Sequence, residues 1–328
     1  MQRGISVVIP NYNGLKFFPE TLPTVFTALK KTGLPWQIVV ADDCSTDGSV
    51  HFLETNYPEI KIISTGINSG FAATANMGIY ASQFDWVLLL NNDVKLDAGY
   101  FLPQLGYLQK EDTFGVMGKI IGWDNDVVQD GAKYPSFHGV KIKTAGNYVL
   151  KHQEEMKNGL YSMYLSGANA LIRKTIFLEI GGFDELFSPF YVEDYELSLR
   201  AWRLGYKCYY EDRAVCRHKT SATIKSKSRK YEIEKIYNRN KMYLHGIHLP
   251  PADRYAYYGQ LFFETVARML TGRFAFVQSL FLFIRNYKRV RTSRKRFYEK
   301  GKKIKLLSVR EVADAVLIPL KNKEIIRF

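Results

Sequence analysis

The chain has 328 residues, 46% hydrophobic and 24% charged, ordinary globular usage that excludes a peptide-sized fold and wholesale disorder and sets an expectation of two domains or one enlarged one. Its three cysteines, Cys44, Cys208 and Cys216, form no Cys-x-x-Cys pair, which argues against a disulfide framework or zinc ribbon and for a reducing compartment. The formal charge of +14 lies in the last third: residues 1–224 hold 21 Lys and Arg against 24 Asp and Glu, residues 225–328 hold 25 against 8.

The opening MQRGISVVIP offers a short apolar run before Pro10 and no cleavage pattern, so it reads as a first strand rather than a signal peptide, in a cytoplasmic chain. Apolar runs follow at 36–41, 60–64 and 86–90, short and not strictly alternating, as strands buried on both faces of a parallel sheet are. Stretches of helical length, 17–31, 47–56 and 70–82, separate them. The alternation predicts an α/β, doubly wound sheet flanked by helices, with no linker or internal repeat to set off a second domain.

Ligands in such sheets bind beyond the carboxyl ends of the strands. Those ends here read Pro10-Asn11-Tyr12-Asn13-Gly14, Asp42-Asp43-Cys44-Ser45-Thr46-Asp47, Asn68-Ser69-Gly70 and Asn91-Asn92-Asp93. Neither G-x-G-x-x-G after the first strand nor G-x-x-x-x-G-K-[ST] is present, so a dehydrogenase or P-loop enzyme is not expected. Asp42 and Asp43 are ionised acceptors suited to a ribose or a base N–H, or simply turn residues, whereas Asp47 reads as a helix cap. Asp93 is a carboxylate suited to a hard divalent cation beside a diphosphate, or again a turn aspartate.

Further along, residues 166–170 read as a tight strand entry and Gly181-Gly182 as a helix stop. Residues 191–205 read as one helix with acids in its first turn and bases in its last. Glu193 and Asp194 fit helix-dipole partners as well as a catalytic pair, and the aromatic setting of Asp194 favours the second. His218 follows a short strand and has the chemistry of a metal ligand, although a lone histidine among basic residues often has no such role. Residues 122–164 carry no motif, and acceptor recognition is expected there.

In the basic tail the longest uncharged run, 274–284, has 11 residues, against about 20 needed to span a bilayer. Residues 285–305 carry eleven cations and the single acid Glu299. The stretch reads as an anchor lying on an anionic membrane surface, the alternative being a helical subdomain with a solvated basic face.

The ordered set VVIPNYNG, DDCSTDGS, NSGFAATANMGI, LLLNNDV, SGANALIRKTIFLEIGGFDELFSPFYVEDYELSLRAWRLGYK, RHKTSAT and YNRNKMY resembles the GT-A-fold family 2 glycosyltransferases, in particular the bacterial rhamnosyltransferase-like branch. The resemblance implies a GT-A domain over residues 1–224, with a nucleotide-binding half to about residue 115, an acceptor half to 224, and a basic helical extension over 225–328. It implies an inverting, metal-assisted transfer from a dTDP- or UDP-sugar to a glycan or polyprenyl-linked glycan at the inner face of the cytoplasmic membrane. Pro10, Asn11, Tyr12, Asp42, Asp43, Asn68, Gly70, Asn76, Asn91, Asn92 and Asp93 are thereby assigned to the nucleotide-sugar, Asp93 and His218 to Mn2+ or Mg2+, and Asp194, with Glu193, to catalysis as general base. Asn91 stands where the family's Asp-x-Asp motif has its first acid.

Three other classes compete. A nucleotidyltransferase would carry an early glycine-rich basic loop, which Asn11-Tyr12-Asn13-Gly14 is not. A catalytically inactive membrane adaptor is allowed by Asn91 and opposed by the retained Asp93, Asp194 and His218. A nucleic-acid binder would interleave aromatics on one basic face, whereas here they sit with Leu and Val, so no nucleic acid is expected.

Overall fold

The computed structural model describes residues 2–64, 66–152, 159–219 and 227–328. The first half alternates β1 (Gln2–Asn11), α1 (Phe18–Lys30), β2 (Trp36–Asp42), α2 (Ser49–Asn56), β3 (Lys61–Ser64), α3 (Phe71–Ala81) and β4 (Phe84–Leu90), each within two or three residues of its expected bounds. β5 (Val94–Leu96), β6 (Thr113–Gly122), β7 (Val128–Asp130), β8 (Ala132–His138), β9 (Lys141–Leu150), β10 (Leu160–Tyr161) and β11 (Asn169–Arg173) follow. Then come α4 (Lys174–Ile180), α5 (Glu193–Arg203) and β12 (Lys207–His218). The last third holds α6 (Lys227–His248), α7 (Pro251–Leu270), α8 (Phe274–Arg285), α9 (Tyr287–Lys300), α10 (Val309–Leu317) and β13 (Ile325–Arg327).

The main sheet runs β10-β12-β6-β11-β4-β1-β2-β3, with β5 and β7 paired on β12 and β6. β3, β2, β1 and β4 are parallel, β11 is antiparallel to both neighbours, and β12 is parallel to β6. Alternate side chains of one strand enter opposite cores: Val7, Val40 and Leu88 pack with Phe18, Leu22 and Val25 of α1, and Val8, Val39 and Leu89 with Ala72, Ala75 and Ile79 of α3. Both faces are therefore covered, the physical reason these runs do not alternate polar and apolar.

β8 and β9 form a hairpin that β13 extends into a second, three-stranded antiparallel sheet. This sheet occupies the stretch without motifs, of which residues 153–158 lie outside the described residues. The boundary at 224/225 and the Thr220–Thr223 part of RHKTSAT also lie outside them.

α5 is tied to α6 by a buried ionic cluster. Arg200 Nε donates to Glu196 Oε1 at 3.0 Å, His248 Nε2 lies 3.2 Å from the same oxygen, and Arg203 Nη1 donates to the His248 carbonyl at 2.8 Å. Burial alone would raise the Glu196 pKa, but Arg200 and His248 outweigh it and hold it down to about 2. Burial pushes His248 down to about 4, so the imidazole is a neutral member of the cluster.

The tail differs from expectation in where its apolar surface lies. α9, the basic helix of residues 285–305, turns Val290 and Phe297 into the interior, 0% and 2% exposed, so its apolar stripe packs inward. The exposed apolar side chains are on α7 and α8 instead. No described helix is long and apolar enough to cross a membrane.

Candidate functional site

The strand ends of β1, β2 and β4 are cross-linked by side chains. Asn11, 1% exposed, donates from Nδ2 to Asp42 Oδ1 at 2.8 Å and to Ser45 Oγ at 3.0 Å, while its Oδ1 accepts from Asn92 Nδ2 at 2.8 Å. A Cβ at Gly14 would lie 2.2 Å from Asn92 Nδ2 and 2.3 Å from Asn11 Oδ1, so this junction closes only around a glycine. Asp43 reaches across to the loop before α3, accepting from Ser69 N at 2.6 Å and Gly70 N at 2.9 Å. Gly70 has φ +84°, and an added Cβ would meet Pro189 backbone at 3.0 Å; Phe71 N bonds the Pro189 carbonyl at 3.1 Å. Asp47 accepts from Leu15 N and Ser49 N at 2.9 and 3.0 Å; it holds the turn into α2, whose N-cap residue is Gly48 rather than the expected Asp47. Burial works to raise the Asp47 pKa, and these bonds with that from the Ser49 hydroxyl lower it overall.

Antiparallel pairing of β5 on β12 sets Val94 opposite His218, which brings Asp93 beside the histidine. Asp93 Oδ1 lies 3.4 Å from His218 Nε2. His218 ends a twelve-residue strand rather than the short one expected. Octahedral ligands at about 2.1 Å from a hard cation are about 3 Å apart when cis, so the pair suits two adjacent coordination positions. Among the described residues no group of three or more His, Cys, Asp and Glu gathers as a metal cage, which would leave the remaining positions to ligand and water oxygens. The residues fit a cation shared with a diphosphate.

On the other side, Tyr191 and Val192 both have φ +73°, strained for a non-glycine and especially for β-branched valine, at about 1–3 kcal/mol each. They launch α5 so that its first residues are Glu193 and Asp194. Asp194 Oδ1 accepts from Tyr195 N at 2.7 Å, and Oδ2 from Gly167 N at 3.3 Å. Burial raises the pKa of both carboxyls; for Glu193 the neighbouring Asp194 charge adds to it. Among the described residues Glu193 Oε2 is buried without a hydrogen-bond partner, and backbone amides act to lower both pKa values against that burial. Asp194, which accepts two backbone amides beside the start of α5, is the better placed of the two to carry charge.

Three residues carrying this arrangement escaped the sequence reading. Lys133 of β8, 6% exposed, pairs with Asp130, donates to Asn147 Oδ1 at 3.0 Å, and lies over the Tyr164 ring at 5.2 Å. Burial lowers its pKa to about 8 against the opposing charge of Asp194. Tyr164 stacks on Tyr195 at 4.8 Å between centroids. Asn240, fully buried in α6, donates from Nδ2 to the carbonyls of Phe187, Phe190 and Tyr191 at 2.6, 3.0 and 2.8 Å, and so clamps the strained loop. YNRNKMY was a visible signal for Asn240; a lysine inside an unplaced strand gave none.

The sequence-predicted residues divide accordingly. Asn11, Asp42 and Asn92 form one network, with Asp43 and Gly70 adjoining, and Asp93 and His218 a second group. Pro10 is the penultimate residue of β1, and Tyr12, just past its end, is 54% exposed. Asn91 donates its amide to the Ala168 carbonyl at 3.1 Å. Asn68 is exposed on its loop. Asn76 is not brought to the group: it exchanges bonds with Phe183, Nδ2 to the carbonyl at 3.0 Å and Oδ1 from the amide at 2.8 Å, locking α3 to the turn after α4.

Against known proteins, the model of glycosyl transferase family 2 matches residues 6–181, more than half of the chain. The N-acetylglucosaminyl-diphospho-decaprenol L-rhamnosyltransferase of Mycobacterium tuberculosis (strain CDC 1551 / Oshkosh) is 27% identical over 219 residues, 58% of this chain and 69% of that protein. The O-antigen chain rhamnosyltransferase WbaN of Salmonella anatum is 25% identical over 232 residues, 69% of each. GalNAc-T7, solved with UDP, GalNAc and Mn2+, superposes with a TM-score of 0.66 at 14% identity over 98% of this chain, which spans 57% of that structure. The mannosyltransferase PcManGT of Pyrobaculum calidifontis, with GDP-Man and Mn2+, gives 0.53 at 15% identity, covering 92% and 87%. At these identities the two structures show the fold, a GT-A one.

Proposed function

This chain belongs to glycosyl transferase family 2 and is a glycosyltransferase, and from that premise we propose that it moves a sugar, rhamnose first among the choices, from a dTDP- or UDP-donor to a hydroxyl of a lipid-linked glycan, with inversion. The carrying observation is the short segment joining the two poles of the site. Ala168 accepts the Asn91 amide beside Asp93, and Gly167 donates to Asp194. One dipeptide thus holds the donor-side strand end and the carboxylate in register. The two named rhamnosyltransferase relatives support the sugar, and the one named for a diphospho-decaprenol acceptor supports the lipid-linked acceptor.

Asn11, Asp42, Asp43 and the Tyr12 ring would receive the nucleoside, with Asn91 and Asn92 at the sugar and diphosphate. Asp93 and His218 would hold Mn2+ or Mg2+, which when bound would supply positive charge to the donor diphosphate. Asp194 accepts the acceptor hydroxyl's proton as that oxygen bonds to the anomeric carbon from the face opposite the leaving group. The bond to the nucleoside diphosphate breaks with its electron pair, and the proton ends on Asp194. Glu193, whose pKa burial and the Asp194 charge raise, flanks that base in the same poorly solvated pocket. The chain would work at the cytoplasmic face of the membrane, where a lipid-linked acceptor is presented.

The test is release and transfer from a panel of UDP-, dTDP- and GDP-sugars with Mn2+, Mg2+ or EDTA, for the unmodified chain and Asp194→Asn. One donor consumed in a metal-dependent way, with transfer lost in the variant, is the expected result. Silence across the panel together with no nucleotide binding by calorimetry would return the adaptor reading.

A further inference from the structure

α7 and α8 are apolar on two sides. One side packs inward through Tyr257, Leu261, Phe276 and Phe283, all below 9% exposed. The other faces water: Phe262, Phe263, Val266 and Leu270 of α7 and Phe274 and Phe281 of α8 are exposed, Leu270 by 82%, Phe263 by 73% and Phe281 by 66%. The spacing 255, 262, 263, 266, 270 places these α7 side chains within about 100° of arc on one helical face, and 274, 281 and 284 share a face of α8. A contiguous exposed surface of this kind marks an interaction site.

Charge identifies the partner. Residues 271–300 carry nine Lys and Arg and one Glu, with Arg273 and Arg285 exposed at the two ends of α8 and Lys288 exposed in the first turn of α9. Aromatic and leucine side chains ringed by cations, on helices too short to span, match the interface of an anionic bilayer: rings enter the acyl boundary and cations meet lipid phosphates. A protein partner would need compensating acids, whereas a lipid headgroup layer supplies them at any register. The face also communicates with the site, because α7 grips the β8–β9 turn through Glu264 to Lys141 and Gln260 Nε2 to the His138 carbonyl at 3.3 Å. Five residues of β8, about 17 Å of strand, separate that turn from Lys133.

We propose that the α7–α8 face docks on an anionic phospholipid surface and orients the acceptor side of the site toward it. The purpose of this docking rests on the lipid-linked acceptor reading; the docking itself does not. The experiment is co-sedimentation of the whole chain with vesicles of phosphatidylcholine alone or equimolar with phosphatidylglycerol, beside transfer to a water-soluble acceptor analogue. Binding to the anionic vesicles, weakened by salt, and reduced more than about tenfold in Phe263→Gln/Leu270→Gln/Phe281→Gln, with soluble transfer unchanged, is expected. Arg273→Glu/Arg285→Glu/Lys288→Glu should remove the preference for the anionic vesicles. Equal binding by the apolar triple variant and the unmodified chain overturns the proposal, as does a variant that changes only from dimer to monomer by sedimentation, which would make a second copy the occupant. Vesicle binding without transfer to any acceptor would leave the docking standing and sink the proposed function instead.

Discussion

The strand-end network and the loop before α5 solve the same problem in opposite ways. At the strand ends, Asn11, Asp42 and Asn92 bond one another, so polar groups are fixed by partners of their own kind, although Asn13 and Cys44 also take positive φ there. At the loop, two non-glycine residues sit at positive φ and two carboxyls share a poorly solvated pocket, and the restraint comes from outside, from Asn240 of α6 and Lys133 of β8. The first arrangement preorganises a binding surface. The second stores unfavourable energy in order to keep a base half-desolvated, and it depends on the rest of the chain to hold it.

If that contrast is right, substitutions in the two regions should fail differently. Asp194→Asn is expected to cut kcat about a thousandfold while donor affinity, read by calorimetry, stays put; a parallel loss of affinity would mean the regions are not separate. Asn240→Ala leaves three carbonyls without their donor and should lower kcat about ten- to a hundredfold and stability by about 2–3 kcal/mol, measured by transfer and by urea unfolding, with donor KM little changed. Asp43→Ala should do the reverse, raising donor KM about tenfold as the Ser69–Gly70 amides lose their acceptor, with kcat nearly intact. Lys133→Met removes a charge that lowers the Asp194 pKa, so the acidic limb of the kcat profile should move to higher pH, by about one unit or less; an unmoved limb would assign the titration elsewhere.

A pH effect on stability concerns the two buried histidines of α6. His245 and His248 are held at about pKa 4 by burial. Between the ordinary 6.5 and 4 the unfolded chain binds protons that the folded chain refuses, so stability should fall as pH falls through that window, by up to about 1.4 kcal/mol per pH unit for each histidine. Glu193 and Asp194, raised in the folded chain, act in the opposite sense over this range, so urea unfolding at pH 7, 6 and 5 is read in the Glu193→Gln/Asp194→Asn variant, where a flat profile would show both imidazoles charging in place.

The sequence made the donor half legible because its causes are local. Runs such as those of β1 and β4 announce burial on two faces, and the residues after each strand must lie at one edge of the sheet once the strands are parallel. That the Asp93 side chain lies beside His218 depends instead on β5 folding back on β12, for which three residues of β5 give almost no pattern. Lys133 was illegible for a related reason: a lysine earns burial only through Asp130, Asn147 and the nearby carboxylate, partners distributed over three elements. The basic tail was half legible. Its charge was plain from composition, but only packing reveals that α9 spends its apolar stripe inward while α7 and α8 keep theirs outside.

β13 closes the sheet that carries Lys133, pairing Ile325 with Leu150 across more than half of the chain. In kinetic terms the donor half, built from successive βαβ units, can form while synthesis is still under way, whereas the second sheet must wait for a loop closure of very high contact order. A nascent chain would then acquire its nucleotide pocket well before the roof over its base, so that during translation sugar-nucleotide binding should precede turnover.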